Sequence, residues 1–132
     1  MKKLFFKILN FFKSIFNLNF TDFTWIKTAK FIELDNIDVS EDPVRPELDL
    51  EWRTAHDRKI YGLEYNNEIE GIMCLAFTKD VPQTVRELDL MSKVTKNEEN
   101  EDKIIAYTVW SRKSGAGREI INKLGEWAKT NK

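Results

Sequence analysis

The feature that most limits how this chain can fold is an apolar run that leads, through a glycine-containing loop, into an amphipathic segment. Residues 103–110 (KIIAYTVW) are β-branched and aromatic, which predicts a buried strand. Residues 118–129 (REIINKLGEWAK) carry apolar side chains at helical spacing. Residues 111–117 (SRKSGAG) lie between them, so the sequence predicts a strand, a loop and a helix in immediate succession.

Upstream of this unit the sequence predicts a hairpin. Residues 59–65 and 68–78 have the composition of strands and flank Asn66-Asn67. Asparagine tolerates positive φ, so this pair favours a two-residue turn between antiparallel strands. Another strand is predicted over residues 29–34, where β-branched and aromatic residues partly alternate.

The remaining segments connect these strands. Residues 35–46 are acidic and contain two prolines, which predicts a loop, and residues 47–58 form either a helix or an extended connection. Residues 81–92 have apolar positions at helical spacing and predict a short helix. Residues 94–102 (VTKNEENED) predict a solvated, mobile loop. The expected fold class is therefore mixed α/β (α+β), with antiparallel strands.

Length and composition bound the class of protein. The 132 residues are enough for one domain with one core, and a net charge of −1 gives no bulk attraction to nucleic acid. Cys74 is the single cysteine and lies in an apolar run, so it is expected to be a buried thiol. His56 is the single histidine and is expected to be exposed. The sequence therefore predicts no metal site, and a reducing cytoplasm fits the unpaired thiol.

Residues 1–20 differ chemically from the rest and are interpreted as a separate segment before a domain of residues 21–132. They contain four Lys, no Asp or Glu, and six of the nine Phe. Apolar side chains from Leu4 to Phe16 follow one face, which predicts a basic amphipathic helix. Such a helix could lie on an anionic membrane surface, pack against its own domain or a partner subunit, or act as a signal-like segment.

Residues 111–117 carry the clearest chemical signal. Gly115 and Gly117 let the backbone adopt conformations that other residues resist, and they leave no side chain in the way of a ligand. Backbone N–H groups and the positive end of the following helix then favour an anion. Residues 111–132 hold six Lys or Arg and two Glu. A phosphate-rich ligand would explain this local charge; a plain tight turn between strand and helix is the alternative.

Known phosphate-binding motifs can be compared with this loop to ask which kind of phosphate ligand it would bind. A P-loop needs G-x-x-x-x-G-K-[ST] and a dinucleotide fingerprint needs G-x-G-x-x-G, and neither pattern is present. Residues 112–117 (RKSGAG) fit R/Q-x-x-G-x-G/A instead. Together with the strand and helix around it, the motif resembles the acyl-CoA signature of the GNAT superfamily of N-acetyltransferases, over about residues 59–129. The chain is also similar to short acetyltransferase-like proteins carried by tailed phages.

The resemblance implies a GNAT-like fold and transfer of an acetyl group from acetyl-CoA to a primary amine without a covalent intermediate. Tyr107 to Trp110, which include Val109, would line the pantetheine arm and the acyl carbonyl. The loop would hold the diphosphate of coenzyme A through Arg112, Lys113, Ser114, Gly115, Ala116, Gly117 and Arg118.

Catalysis would need a base and an acid. Glu68 and Glu70 are the candidate bases, since strand alternation puts both on one face, and Tyr107 is the candidate acid. A solvated face of an antiparallel sheet is the other interpretation of the two glutamates. The acceptor amine leaves no mark in the sequence.

The chain also departs from the family pattern. The family continues beyond the helix with a strand that walls the pantetheine slot, and a tyrosine that often serves as general acid lies there. If 132 residues is the natural length, the site is half-built, a partner chain completes it, or residues 1–20 take over the space. Three functions therefore stay open: an N-acetyltransferase, a catalytically inactive binding or interaction protein on the same fold, and a membrane-surface adaptor.

Overall fold

The computed structural model describes residues 3–5, 28–94 and 103–130, and within these ranges the chain is a mixed α/β structure built on one sheet. The strands are β1 (Lys3–Phe5), β2 (Lys30–Leu34), β3 (Lys59–Tyr65), β4 (Glu68–Thr78) and β5 (Lys103–Ser111). The helices are α1 (Leu50–Thr54), α2 (Val85–Val94) and α3 (Ala116–Thr130), and a 3-10 turn spans Val39–Glu41.

Four antiparallel strands form the body of the sheet, in the order β5-β4-β3-β2, and β1 joins the outer side of β5 in parallel. The pairing of β1 reaches only the first three residues of β5, from Lys103 to Ile105. The turn between β3 and β4 falls at Asn66 and Asn67, whose φ angles are 51° and 63°. Asparagine adopts this left-handed backbone more readily than most residues, so the predicted hairpin is confirmed.

Two bulges interrupt the register of the sheet. Glu70 is an extra residue of β4 with no partner on β3, and Tyr107 is an extra residue of β5 with no partner on β4. A bulge bends its strand and breaks the strict alternation of side chains between the two faces. Both bulges fall on residues to which the sequence had assigned a catalytic role.

The sheet separates two apolar layers. α3 covers one face, where Ile120 and Leu124 are buried with Leu63 and Met73. The other face is covered by α2 and by the connection between β2 and β3, and there Tyr107 and Trp110 of β5 are buried. Full burial of one such side chain contributes about 1.5–3 kcal/mol, so each layer fixes its covering elements firmly.

Most elements predicted from the sequence are confirmed. The strands near residues 29–34, 59–65, 68–78 and 103–110 are present, and so are the helices after residues 81 and 118. Residues 47–58 contain a short helix, α1, whose first turn is capped by Asp49 through a 2.8 Å bond from the amide of Trp52. Cys74 is buried, as expected.

The N-terminal prediction is wrong where it can be compared with the structure. Residues 3–5 form strand β1 rather than the first turn of an amphipathic helix. Hydrogen bonds to the open side of β5 satisfy this backbone, and the tertiary partner overrides the helical periodicity of the sequence. The rest of residues 1–20, the boundary near residue 20 and most of the predicted loop of residues 94–102 lie outside the described residues. Val94, the first residue of that predicted loop, is instead the last residue of α2.

His56 also differs from expectation. It is half-buried rather than exposed, and it occupies a tight turn with Asp57 in which both residues have positive φ, 53° and 63°. The amide of Arg58 closes this turn on the carbonyl of Ala55 at 3.0 Å. None of the helices within the described ranges is long and apolar enough to cross a membrane.

Candidate functional site at the start of helix α3

The turn between β5 and α3 has a fixed backbone. The amides of Arg112 and Lys113 donate to the carbonyl of Glu70 at 2.7 and 3.3 Å, which ties the turn to β4. The amide of Ala116 donates to the carbonyl of Lys113 at 3.1 Å and closes the turn. Gly115 lies inside it with a φ of 91°, where a side chain would be strained, so its predicted conformational role is confirmed.

The first turn of α3 presents backbone amides without acceptors. The carbonyl of Gly115 accepts the amide of Glu119 at 3.1 Å, so Gly115 is the N-cap residue. Glycine has no side chain that could cap the next amides. Within the described ranges, no group accepts a hydrogen bond from the amide of Gly117 or Arg118. These donors lie at the positive end of the helix dipole and are suited to an anion.

The seven residues assigned to the diphosphate divide into an exposed and a buried set. The residues at the rim are exposed: Arg112, Lys113, Ser114 and Arg118. The residues between them are buried: Gly115, Ala116 and Gly117. Positive side chains therefore surround a part of the backbone that is itself closely packed.

Two of the rim cations already have partners in this structure. The Nζ atom of Lys113 lies 5.2 Å from the ring centroid of Tyr65, a cation–π distance. The guanidinium of Arg112 forms an ion pair with Glu41 and donates from Nη1 to the carbonyl of Ile69 at 3.2 Å. The charge of Arg112 is thus balanced by a carboxylate from the 3-10 turn between β2 and β3.

Gly71 of β4 determines how closely α3 approaches the sheet. A Cβ atom at this position would lie 3.1 Å from Cβ of Ala116 and 3.3 Å from its carbonyl oxygen. Both distances are tighter than ordinary van der Waals contact, so a larger residue would displace the start of the helix. The position of the unpaired amides therefore depends on a glycine in a neighbouring strand.

Replacing Gly115 with alanine is expected to lower the free energy of unfolding by about 1–2 kcal/mol, because an L-residue is strained at positive φ. The matched control is Gly125→Ala, further along the same helix, where a Cβ atom would meet nothing within 4 Å. This control should instead raise stability by about 0.5–1 kcal/mol, since glycine weakens a helix interior. Urea denaturation of both variants measures the two effects, and equal changes in the two would contradict a special backbone at Gly115.

The residues assigned to the pantetheine arm are buried. Val109 packs in the layer beneath α3, and Trp110 packs in the layer on the opposite face. Each is no more than 3% exposed. Their side chains complete the two cores, so only the backbone of this strand is left to meet a ligand.

Tyr107, the candidate acid, is also inside the core. Its ring meets the ring of Trp52 edge-on, with centroids 5.5 Å apart. Burial, reinforced by the nearby Cys74 thiol, raises the pKa of the Tyr107 hydroxyl well above its usual value. The hydroxyl has no hydrogen-bond partner of acceptable geometry among the described residues. It therefore stays protonated at neutral pH and is shielded from solvent.

The structure does not bring Glu68 and Glu70 together with Tyr107. Glu68 is exposed and Glu70 half-buried, and the bulge at Glu70 interrupts the strict alternation on which their expected shared face was based, so that expectation stays a prediction. Tyr107 lies beside Cys74, which is four and six residues along β4 from the two glutamates. That separation is roughly 13–20 Å along a strand, so a catalytic role for these three residues stays a prediction.

Sequence reasoning missed a buried ionic network on the other face of the sheet. The guanidinium of Arg53, which is fully buried, donates from Nη1 to Oδ2 of Asp42 at 2.8 Å. Thr108 of β5 donates its hydroxyl to the same Oδ2 atom at 2.8 Å. Burial opposes the charge, but contacts with Cys74 and Asp42 outweigh it and raise the pKa of Arg53.

A second buried arginine attaches α2 to the sheet. Arg58 lies 3.7 Å from the ring centroid of Trp52 and donates from Nη2 to Asp89 at 3.0 Å and to Ser92 at 2.8 Å. Burial lowers the pKa of Arg58, and Asp89 opposes this effect. No pattern of residues in the sequence indicates that Arg53 or Arg58 is buried. The only signal is the apolar residues near Trp52, which indicate that this segment packs against the rest of the protein.

The loop at the start of α3 thus combines a fixed backbone, unpaired amides and flanking cations. Within the described ranges, no three His, Cys, Asp or Glu side chains are grouped so that they could hold a metal ion. No family model, curated protein or solved structure matches this chain.

Proposed function

We propose that this chain has a GNAT-like fold, binds the diphosphate of acetyl-CoA at the start of α3, and transfers the acetyl group to a primary amine. The observation that carries the proposal is the pair of amides, of Gly117 and Arg118, that have no acceptor within the described ranges. A diphosphate supplies both acceptor oxygens and negative charge at this end of a 15-residue helix.

The side chains around these amides agree with a diphosphate ligand. Lys113 and Arg118 are exposed on either side of the glycines, and each could contact a different phosphate group. Gly115 allows the turn its positive φ, and Gly71 allows the start of α3 to lie close to β4; neither residue places a side chain in front of the unpaired amides. The order of hairpin, long strand, glycine loop and helix supports the GNAT-like fold.

A second candidate is binding without turnover, in which the chain is a catalytically inactive binding or interaction protein. The position of the acid–base candidates favours it, because Tyr107 is buried beside Cys74, four to six residues along β4 from the two glutamates. General acid–base catalysis requires groups within hydrogen-bond reach of the reacting atoms. A different base would have to be supplied for transfer to occur.

Reversing the charge of Arg118 is expected to weaken acetyl-CoA binding by tenfold or more, which corresponds to about 1.4 kcal/mol or above. The matched control is Lys129→Glu, which makes the same charge change at an exposed site in the last turn of α3, about 16 Å away along the helix. Isothermal titration calorimetry of the wild type, Arg118→Glu and Lys129→Glu with acetyl-CoA measures the affinities.

Thermal denaturation separates loss of the site from loss of the fold. A glutamate in the first turn of α3 favours the helix dipole and one in the last turn opposes it, each by about 0.3–1 kcal/mol. Arg118→Glu should therefore bind worst while melting highest, and Lys129→Glu should bind normally while melting lowest. No heat from the wild type at millimolar acetyl-CoA, or equal loss of binding in both variants, would rule out the proposed site. Release of free coenzyme A in the presence of amines then separates transfer from binding alone.

A further inference from the structure

Each nitrogen of the Arg112 guanidinium donates a hydrogen bond to another part of the protein. Its Nε atom donates to Oε1 of Glu41 at 3.0 Å, and its Nη2 atom donates to the same oxygen. Its Nη1 atom donates to the carbonyl of Ile69 at 3.2 Å. The edge of the guanidinium formed by Nε and Nη2 is therefore occupied by the carboxylate of Glu41.

Glu41 is held in place by both of its neighbours along the 3-10 turn. Asp38 caps the turn by accepting the amide of Ser40 at 3.0 Å, and hydrogen bonds from Ser40 lower the pKa of Asp38. Asp42, which follows Glu41, is anchored in the buried network with Arg53 and Thr108. The backbone at Glu41 is thus fixed by the fold, so that only the side chain has to be ordered to form the ion pair.

We propose that Glu41 is a built-in competitor of the ligand: it occupies the face of Arg112 that a phosphate group would use, so that binding requires exchange of a carboxylate for a phosphate. This inference rests on the proposed function and adds its regulation. Nε and Nη2 now share one carboxylate oxygen, and the same two N–H groups can donate to the oxygens of a phosphate, because arginine binds carboxylate and phosphate through the same donors.

The surroundings of the pair permit such an exchange. The side chains of Arg112 and Glu41 are 36% and 34% exposed, so a ligand can reach the pair from solvent. When the carboxylate leaves, Arg112 stays fixed by its bond to the carbonyl of Ile69 and by its own amide, which is bound to Glu70. The guanidinium would therefore be freed without loosening the loop.

Replacing Glu41 with glutamine tests the proposal, because the amide keeps the shape of the side chain but loses its charge. Acetyl-CoA and inorganic pyrophosphate are titrated separately into the full chain by calorimetry. Both should bind Glu41→Gln about two- to fivefold more tightly than the wild type, the range expected when one competing surface ion pair is removed. Glu47→Gln is the control, since Glu47 lies 3.8 Å from Arg45 in a pair outside the loop and should leave both affinities unchanged.

The double variant Glu41→Gln/Arg112→Gln identifies the origin of any gain. The gain should disappear, because it depends on the freed guanidinium. Unchanged or weaker binding of both probes to Glu41→Gln, or a gain that persists in the double variant, would overturn the competitor role. Tighter pyrophosphate binding with no acetyl-CoA binding would uphold it and reject the proposed function. Acetyl-CoA binding that is equally tight in the wild type and Glu41→Gln would uphold the proposed function and reject the competitor role.

Discussion

Replacing Arg53 with methionine is expected to lower the free energy of unfolding by about 3–5 kcal/mol. Methionine fills a similar volume but leaves the buried carboxylate of Asp42 without its countercharge. Domains of this kind are stabilised by about 5–15 kcal/mol in total, so the variant should be close to unfolding at 37 °C. Urea denaturation followed by circular dichroism at 25 °C measures the change.

A second substitution tests whether the loss of stability is caused by the unpaired buried charge of Asp42. Asp42→Asn in the Arg53→Met background keeps the Oδ1 atom that accepts the amides of Val44 and Arg45, and it removes the negative charge. The double variant should therefore regain at least about 1 kcal/mol over Arg53→Met alone. A loss below about 1 kcal/mol in Arg53→Met, or no recovery in the double variant, would mean that the pair is not the main support of this segment.

Replacing Gly71 with valine is expected to cost about 1–3 kcal/mol of stability and to abolish binding at the start of α3. The added side chain would collide with Ala116, whose Cβ atom lies 3.1 Å from the position of a Cβ at residue 71. The helix would have to move away from β4, and the unpaired amides of Gly117 and Arg118 would move with it. Denaturation and calorimetric titration with acetyl-CoA measure the two losses.

The control for this substitution lies in α3 itself. Gly125→Val makes the same change where a Cβ atom meets nothing within 4 Å, so it should leave stability nearly unchanged. The double variant Gly71→Ala/Ala116→Gly moves the methyl group from one contact position to the other. It should regain part of the free energy of unfolding that Gly71→Ala alone loses. Normal binding by Gly71→Val would contradict a dependence of the site on this contact.

The local part of the fold could be predicted from the sequence because it depends on short-range patterns. Asn66 and Asn67 adopt positive φ at a modest energetic cost that depends little on the rest of the chain. The apolar run of residues 103–110 is buried on both faces of the sheet, as its composition predicts. The glycine loop was predictable for the same reason, since Gly115 carries a backbone requirement in a single residue. What such a loop binds does not follow from its conformation.

The long-range part could not be predicted. The bond between Thr108 and Asp42 joins residues 66 positions apart, and nothing in the acidic segment distinguishes Asp42 from its neighbours. The bulges at Glu70 and Tyr107 arise from pairing between strands, so they leave no pattern along a single strand from which they could be predicted. Burial of Tyr107 against Trp52 likewise depends on how the connection between β2 and β3 covers the sheet.

The parallel pairing of β1 with β5 has a consequence for the time course of synthesis. Lys3 pairs with Lys103, so the partner of the first strand is made one hundred residues later. At the usual pace of about 5–20 residues per second, roughly 5–20 seconds separate the synthesis of the two partners. Strand β1 is therefore made before β2, β3 and β4 but joins the sheet after these strands have had time to pair with one another.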